Sequence, residues 1–340
     1  MKKVLLSTAL VAVIASPAMA FDVSVGGYYN SMAYSVDSDN TGVDYKDLSF
    51  QEDAEIIFKG KTKSDTGVEY GFQVQLEASS VSDQVDEHYI YVKGGFGKII
   101  VGAENSAAYL MQVSAPSFLG WKTFDNNFET WETVAKYEKP LHDNYSGDAN
   151  KFSYMTPKVN GFQLGFSFTP SGENSGGAGA GSGAMLLTEN ASEHQDVMSY
   201  GVSYSGDLNG LKVKTSYTYE EGEKGGKDDS EYAIGLQLGF GDFTVGGHYF
   251  EADEPGGDDW EITTLGVAYK MGNTTIGLSV HDQEDAKTGQ INDSTKIMVV
   301  GGSTKLTDGV KLTYSYEAVE SDNPSKGDSD FIGLGLLFKF

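Results

Sequence analysis

Apolar and polar residues alternate one by one along most of this chain, and a period of two is the signature of strands with unlike faces. Val68, Tyr70, Phe72, Val74, Leu76 and Ala78 alternate with Glu69, Gly71, Gln73, Gln75 and Glu77. Phe162, Leu164, Phe166 and Phe168 do so with Gln163, Gly165 and Ser167. Tyr232, Ile234, Leu236, Leu238 and Phe240 alternate with Ala233, Gly235, Gln237 and Gly239. The pattern recurs over 23–35, 48–62, 67–79, 86–94, 97–104, 150–156, 161–169, 196–205, 211–220, 231–240, 242–250, 260–270, 273–281, 294–305, 309–317 and 330–340. No helical period and no longer internal repeat competes with it.

The connections also alternate. Ser64-Asp65-Thr66-Gly67, Gly94-Gly95-Phe96-Gly97, Asp207-Leu208-Asn209-Gly210, Met271-Gly272-Asn273 and Thr307-Asp308-Gly309 are short turns with residues suited to positive φ. Between them lie longer polar connections, 36–47, 80–85, 105–149, 170–195, 221–230, 251–259, 282–293 and 318–329. Strict alternation of short and long connections is what an up-and-down barrel gives. A soluble sandwich would not sort its loops this way. The low-complexity piece Ser175 to Ala184 is read as a loop tip, since strands of the same type resume after it.

The chain closes on FIGLGLLFKF, where Ile332, Leu334, Leu336, Phe338 and Phe340 form one unbroken apolar face. In lipid every backbone polar group must be paired internally, and only helices and closed barrels achieve that. The expectation is therefore an all-β, sixteen-stranded antiparallel transmembrane barrel, with the last strand closing on the first around Val23 to Tyr29 and its apolar stripe facing lipid. The mean hydropathy of −0.32 does not oppose this, because alternation averages out along a barrel strand.

Residues 1–20 read as a targeting segment, with Lys2 and Lys3, an apolar run from Val4 to Ile14, and the small-residue end Ala18-Met19-Ala20. The barrel domain is then 21–340, exported from the cytoplasm. There is no cysteine, so no disulfide contributes. A net charge of −25 argues against nucleic acid as a partner. All 24 basic residues are lysine.

The final strand resembles the assembly signal of Gram-negative outer-membrane barrels, carried here by Leu336, Phe338 and Phe340. YGFQVQLEAS (70–79), YIYVKGGFGKIIVGAEN (89–105) and NKFSYMTPKVNGFQLGFSF (150–168) resemble strands and hairpins of the general bacterial porin family, especially its alphaproteobacterial members. The resemblance covers the whole mature chain. It implies a homotrimer in the outer membrane of a Gram-negative bacterium, in contact with lipid and lipopolysaccharide and inserted by the barrel assembly machinery. It also implies passive diffusion of small hydrophilic solutes. A solute-specific channel and a plugged structural or adhesive barrel are the alternatives. Several family features are missing. Ala103 and Ser153 stand where the family often has arginine, and the third loop reads Pro116-Ser117-Phe118-Leu119-Gly120, with serine in place of an acidic residue.

A sixteen-strand barrel is wide enough for an aqueous channel, and charge around its narrowest point sets selectivity. The connection 105–149 is the longest, and its Phe118, Trp121, Phe124, Phe128 and Trp131 are too apolar to leave in water. It is expected to fold inward as the third long loop. Glu104, Asp125, Glu129 and Glu132 are the acids expected at the constriction. Glu55, Lys59, Lys61, His88, Lys98 and Lys151, with Lys212 and Lys214, are the wall residues assigned inward by alternation. Acids on the loop facing lysines on the wall would set up a transverse field. Lysine gives a less rigid wall than arginine, and the negative charge predicts cation preference.

Paired acids at Asp228-Asp229, Asp253-Glu254, Asp258-Asp259 and Asp282 to Asp285 suit calcium, which some relatives bind, although none has EF-hand spacing. The five histidines, His88, His142, His194, His248 and His281, show no metal-binding spacing. No glycine-flanked serine elbow or other nucleophilic constellation is present, so the chain is read as a non-enzyme.

Overall fold

The computed structural model describes residues 21–39, 45–79, 85–120, 145–172, 192–253, 259–286, 293–322 and 327–340. Its strands are β1 (Asp22–Ser38), β2 (Ser49–Lys63), β3 (Glu69–Glu77), β4 (His88–Gly94), β5 (Gly97–Ala103), β6 (Asn150–Met155), β7 (Phe162–Ser171) and β8 (Gln195–Leu208). They continue as β9 (Leu211–Lys224), β10 (Lys227–Phe240), β11 (Phe243–Asp253), β12 (Asp259–Met271), β13 (Thr274–Ala286), β14 (Asp293–Thr307), β15 (Val310–Ser321) and β16 (Ser329–Lys339). A five-residue helix, α1 (Ala107–Met111), follows β5. Each strand pairs antiparallel with its sequence neighbours, and β1 pairs with β16, so the sheet is a closed barrel without edges. All sixteen segments read from alternation are strands.

Closure runs from Tyr28 opposite Lys339 to Ser38 opposite Ser329. It ends with reciprocal bonds in which Gly27 N donates to Phe340 O at 3.0 Å and Phe340 N donates to Gly27 O at 3.1 Å. The apolar stripe of β16 points outward: Ile332 is 63% and Leu334 56% exposed, while Phe331 and Leu337 on the opposite face are buried. In a membrane that outer face meets acyl chains, so its exposure is favourable.

Two aromatic belts ring the outside. On the short-turn side Phe162 packs on Tyr204 at 4.8 Å and Phe243 on Tyr269 at 4.3 Å. On the long-loop side the tyrosines carry their hydroxyls to carboxylates: Tyr219 donates to Glu221, Tyr249 to Glu251 and Tyr316 to Asp330. Such amphipathic rings mark the two lipid–water interfaces.

One connection differs from the sequence reading. Residues 221–230 are not a long loop. β9 and β10 extend to a tip of two residues, Gly225 and Gly226, at φ +61° and +77°. Two adjacent positive φ values define the tight hairpin turn for which glycine is suited. The flanking Glu221 to Lys224 and Lys227 to Ser230 are polar on both faces because this hairpin rises beyond the apolar belt, and a strand solvated on both sides has no alternation to read.

Candidate pore constriction

The first part of the third long loop lies inside the barrel, as its apolar content requires. Ser106 caps α1, its hydroxyl accepting from Tyr109 N at 3.2 Å, and Ala107, Ala108 and Met111 are buried. From α1 the chain runs along the inner wall past β9–β14, and Gly120 comes near Lys311 and Leu337 of β15 and β16. Wall side chains hold its backbone. Ala107 N donates to Ser167 Oγ and Val113 N to Ser216 Oγ, both at 2.8 Å. Gln237 Nε2 donates to Ser114 O at 2.7 Å, and the Gln112 amide donates to His248 Nε2 at 2.5 Å. Ala115, Phe118 and Leu119 then join a buried apolar cluster with Phe250, Ile262, Ile297 and Phe331.

The seat under this segment is a row of inward glycines. A Cβ at Gly235 would overlap the carbonyl of Val113, and one at Gly277 would overlap the Phe118 ring. At Gly201 it would lie 2.9 Å from Met111 Sδ, at Gly301 2.9 Å from Leu119 Cδ2, and at Gly266 3.1 Å from Ala115 Cβ. Each glycine is the small member of an alternating strand, which is the sequence signal that could have located the seat. The serine at 153 belongs to the same arrangement. It bonds Ser167 at 2.7 Å, and Ser167 in turn holds α1. An arginine at 153 would project into the space that α1 fills.

The loop segment and the buried apolar cluster pack against the inner wall from β6 round to β16 and onto Met32 and Tyr34 of β1, and the inward wall of β2–β5 takes no part in that cluster. That wall is polar. Glu55 lies in an inward row with Tyr28 and Glu77, and Tyr28 donates to Glu55 at 2.9 Å and to Asp53 at 3.2 Å. Carboxylate oxygens of Glu55, Glu77 and Asp86 lie within 4.8 Å of one another, the grouping among the described residues that could hold a cation. Lys59 and Lys61 face inward and are exposed, sharing inward rows with Gln73, Tyr89 and Tyr91. Lys98 is also inward, its ammonium 5.5 Å from the Tyr89 ring and 5.0 Å from that of Tyr91. Lys212 and Lys214 are inward, opposite Asp207 and Ser205.

Two wall assignments change. His88 shares its register row with Val74 and Ala103, on the face opposite Tyr89 and Tyr91, so it points away from the lumen. The weak alternation at the start of β4 hid this. Lys151 faces inward but is buried, and it is a strut rather than an open wall charge. Its ammonium donates to the carbonyls of Gly147 and Ala149, each at 2.8 Å, and to that of Glu104. It thus ties the two ends of the third loop together. Glu104 is buried beside it, and its carboxylate accepts from Asn105 N at 3.0 Å. Asp125, Glu129 and Glu132 lie outside the described residues, as do Trp121, Phe124, Phe128 and Trp131.

Glu87, in the connection before β4, is a wall acid that alternation did not single out. Asn105 Nδ2 donates to it at 2.8 Å and Gln73 Nε2 at 3.4 Å. Burial, then the negative charges of Glu104, Asp148 and Asp86, push its carboxyl well above the usual range. A raised carboxyl stabilises the fold fully below the ordinary glutamate value, and that contribution is lost as pH rises through the raised value. The urea midpoint in detergent is therefore expected to fall on going from about pH 5 to about pH 10, and Glu87→Gln to flatten that decline. Parallel slopes for both proteins would remove Glu87 from the account.

The family description "Gram-negative porin" matches residues 7–335. No curated protein sequence matches the chain. Solved structures share the fold at low identity. A loop-deletion mutant of OmpT, an outer membrane protein of Vibrio cholerae, has a TM-score of 0.67 at 13% identity, over 94% of this chain and 100% of that one. The anion-selective porin from Comamonas acidovorans has a TM-score of 0.65 at 14% identity, with the same coverage. A mutant of the Rh. blastica porin has a TM-score of 0.58 at 17% identity, again over 94% and 100%. The closed sixteen-strand barrel with an inward third loop and the match across nearly the whole length agree: the chain belongs to the Gram-negative porin family, channels of the outer membrane.

Proposed function

We propose that this porin is a trimeric general diffusion channel that passes ions and small hydrophilic solutes and prefers cations. The observation that carries the reading is the group of inward carboxylates Asp53, Glu55 and Glu77 on β2 and β3, with Glu104 just past β5, on the part of the wall that the buried apolar cluster leaves uncovered. Carboxylates along a low-dielectric wall concentrate cations and exclude anions. Fold alone does not set the sign, since a neighbour of the same architecture is described as anion-selective. A trimer form of OmpT supports the oligomer. Lipopolysaccharide and the barrel assembly machinery are the partners this reading assigns to the outer belt and to the Leu336, Phe338 and Phe340 stripe.

The function requires no bound cofactor, and calcium on the loop acids would be an accessory. In a planar bilayer with a tenfold KCl gradient, the reversal potential is expected on the cation-selective side, with and without EDTA. A potential of the opposite sign would overturn the preference. A loss of conductance on chelation would make a metal part of the channel.

A further inference from the structure

The inner wall separates its charges along the barrel axis. Lys59, Lys61, Lys98, Lys214, Lys270 and Lys311 all face inward on the halves of β2, β5, β9, β12 and β15 next to the short turns. Most are exposed, so their charge acts directly on that mouth. The opposite half of the same wall carries Asp53, Glu55, Glu77 and Glu104, and exposed acids on outward rows, Asp37, Glu223, Asp253 and Glu320, stand at the long-loop rim.

The exceptions cancel locally. Glu69 lies opposite both Lys63 and Lys93, Asp207 opposite Lys212 and Asp22 opposite Lys61, while Lys224 and Lys227 at the β9–β10 tip are flanked by Glu221, Glu223, Asp228 and Asp229. The Lys151 ammonium on the acidic half is surrounded by carbonyls. What remains is an acidic outer half in series with a basic inner half.

We infer that this axial arrangement makes the channel a rectifier. The inference rests on the open-channel reading above and adds a direction to it. The acidic half fills with cations and the basic half with anions, because each attracts its counter-ion. When the long-loop side is positive, cations driven through the acidic half and anions driven through the basic half meet at the junction and accumulate. Conductance then rises. With the polarity reversed, both are drawn out of the junction, which is depleted, and conductance falls. The effect depends on the reach of the wall charge into the lumen. The Debye length is about 10 Å at 0.1 M salt and about 3 Å at 1 M, so rectification strengthens as salt is lowered.

The test is the current–voltage curve of the purified full-length porin in a planar bilayer. Because the chain has no cysteine, Ser192→Cys marks the long-loop side for a charged, membrane-impermeant thiol reagent added to one chamber. At about 0.05 M KCl, the current with the long-loop side positive is expected to exceed the reverse current by at least about twofold, and the ratio to approach one at about 1 M. Replacing Lys59, Lys61, Lys98, Lys214 and Lys311 together by glutamine is expected to bring the low-salt ratio toward one. It should also move the reversal potential further to the cation side. If that variant does not fold, neutralising Asp53, Glu55 and Glu77 on the acidic half of the inner wall is expected to lower the ratio as well. Equal currents at both polarities in low salt, or a larger current with the short-turn side positive, would overturn the inference and leave the channel standing. Folded protein with no conductance would overturn the channel reading itself.

Discussion

Gly235→Val is expected to unseat the third loop and raise single-channel conductance while the barrel remains folded. Any Cβ at position 235 overlaps the carbonyl of Val113, where the loop lies against the wall between Ser216 and Gln237. Either the strand or the loop must move. β10 is held on both sides, pairing with β9 from Lys227 to Phe240 and with β11 from Ser230 to Phe240. The loop at this point is held by the Val113 bond to Ser216, the Ser114 bond to Gln237 and the Gln112 contact with His248. The loop therefore yields first. Overpacking of this kind costs about 1–3 kcal/mol, well short of what would open a closed barrel. Gly239→Ala is the control on the same face of the same strand. Its Cβ would meet Lys212 and Thr244 and no loop atom, so conductance should be unchanged. If the two variants conduct alike, the glycine seat does not position the constriction.

Leu334→Lys is expected to lower stability by about 2–4 kcal/mol, the cost of a charge on the lipid face near the bilayer midplane. Leu334 stands in the middle of the outward stripe of β16, opposite Ala33 of β1 and Tyr314 of β15, at the seam where the barrel closes. The ammonium has no inward route, because the inner side of this strand is filled by Phe331 and Leu337 and by Gly333 packed against Tyr34 and Met32. Asp37→Lys is the comparison. It is exposed on the same seam but at the long-loop rim opposite Asp330, where the same charge costs about 0–1 kcal/mol. Urea titration of refolding into lipid vesicles measures both. Equal costs at the two depths would mean that the stripe does not face acyl chains.

Most of the fold is legible in the sequence because a lipid-facing strand has no freedom in its pattern. Ile332, Leu334 and Leu336 must be apolar, and the residues between them need only fit the lumen. Outside the apolar belt that rule lapses, which is why the β9–β10 hairpin reads as a loop and why several strands run further than their alternation. Of the aromatics from which an inward third loop is read, Phe118 lies in the described segment 105–120 and is buried against the inner wall. The fine assignment of the wall is less legible. Lys151 has the alternation of a lumen charge, but its role depends on the carbonyls of Gly147, Ala149 and Glu104, which only the folded loop brings to it. Glu87 stands at the weakly alternating start of the 86–94 segment, and its raised carboxyl comes first from burial and then from Glu104 and Asp148, distant in sequence. The glycines at 201, 235, 266, 277 and 301 are individually ordinary barrel residues. Their meaning lies in a shared contact with one segment.

The account stands most directly on single-channel conductance of the folded protein in a planar bilayer. An open trimeric porin predicts conductance steps in groups of three that rise linearly with salt at high ionic strength, where wall charge is screened. Folded, heat-modifiable protein that gives no steps, or a conductance that saturates with salt, would contradict an open diffusion channel.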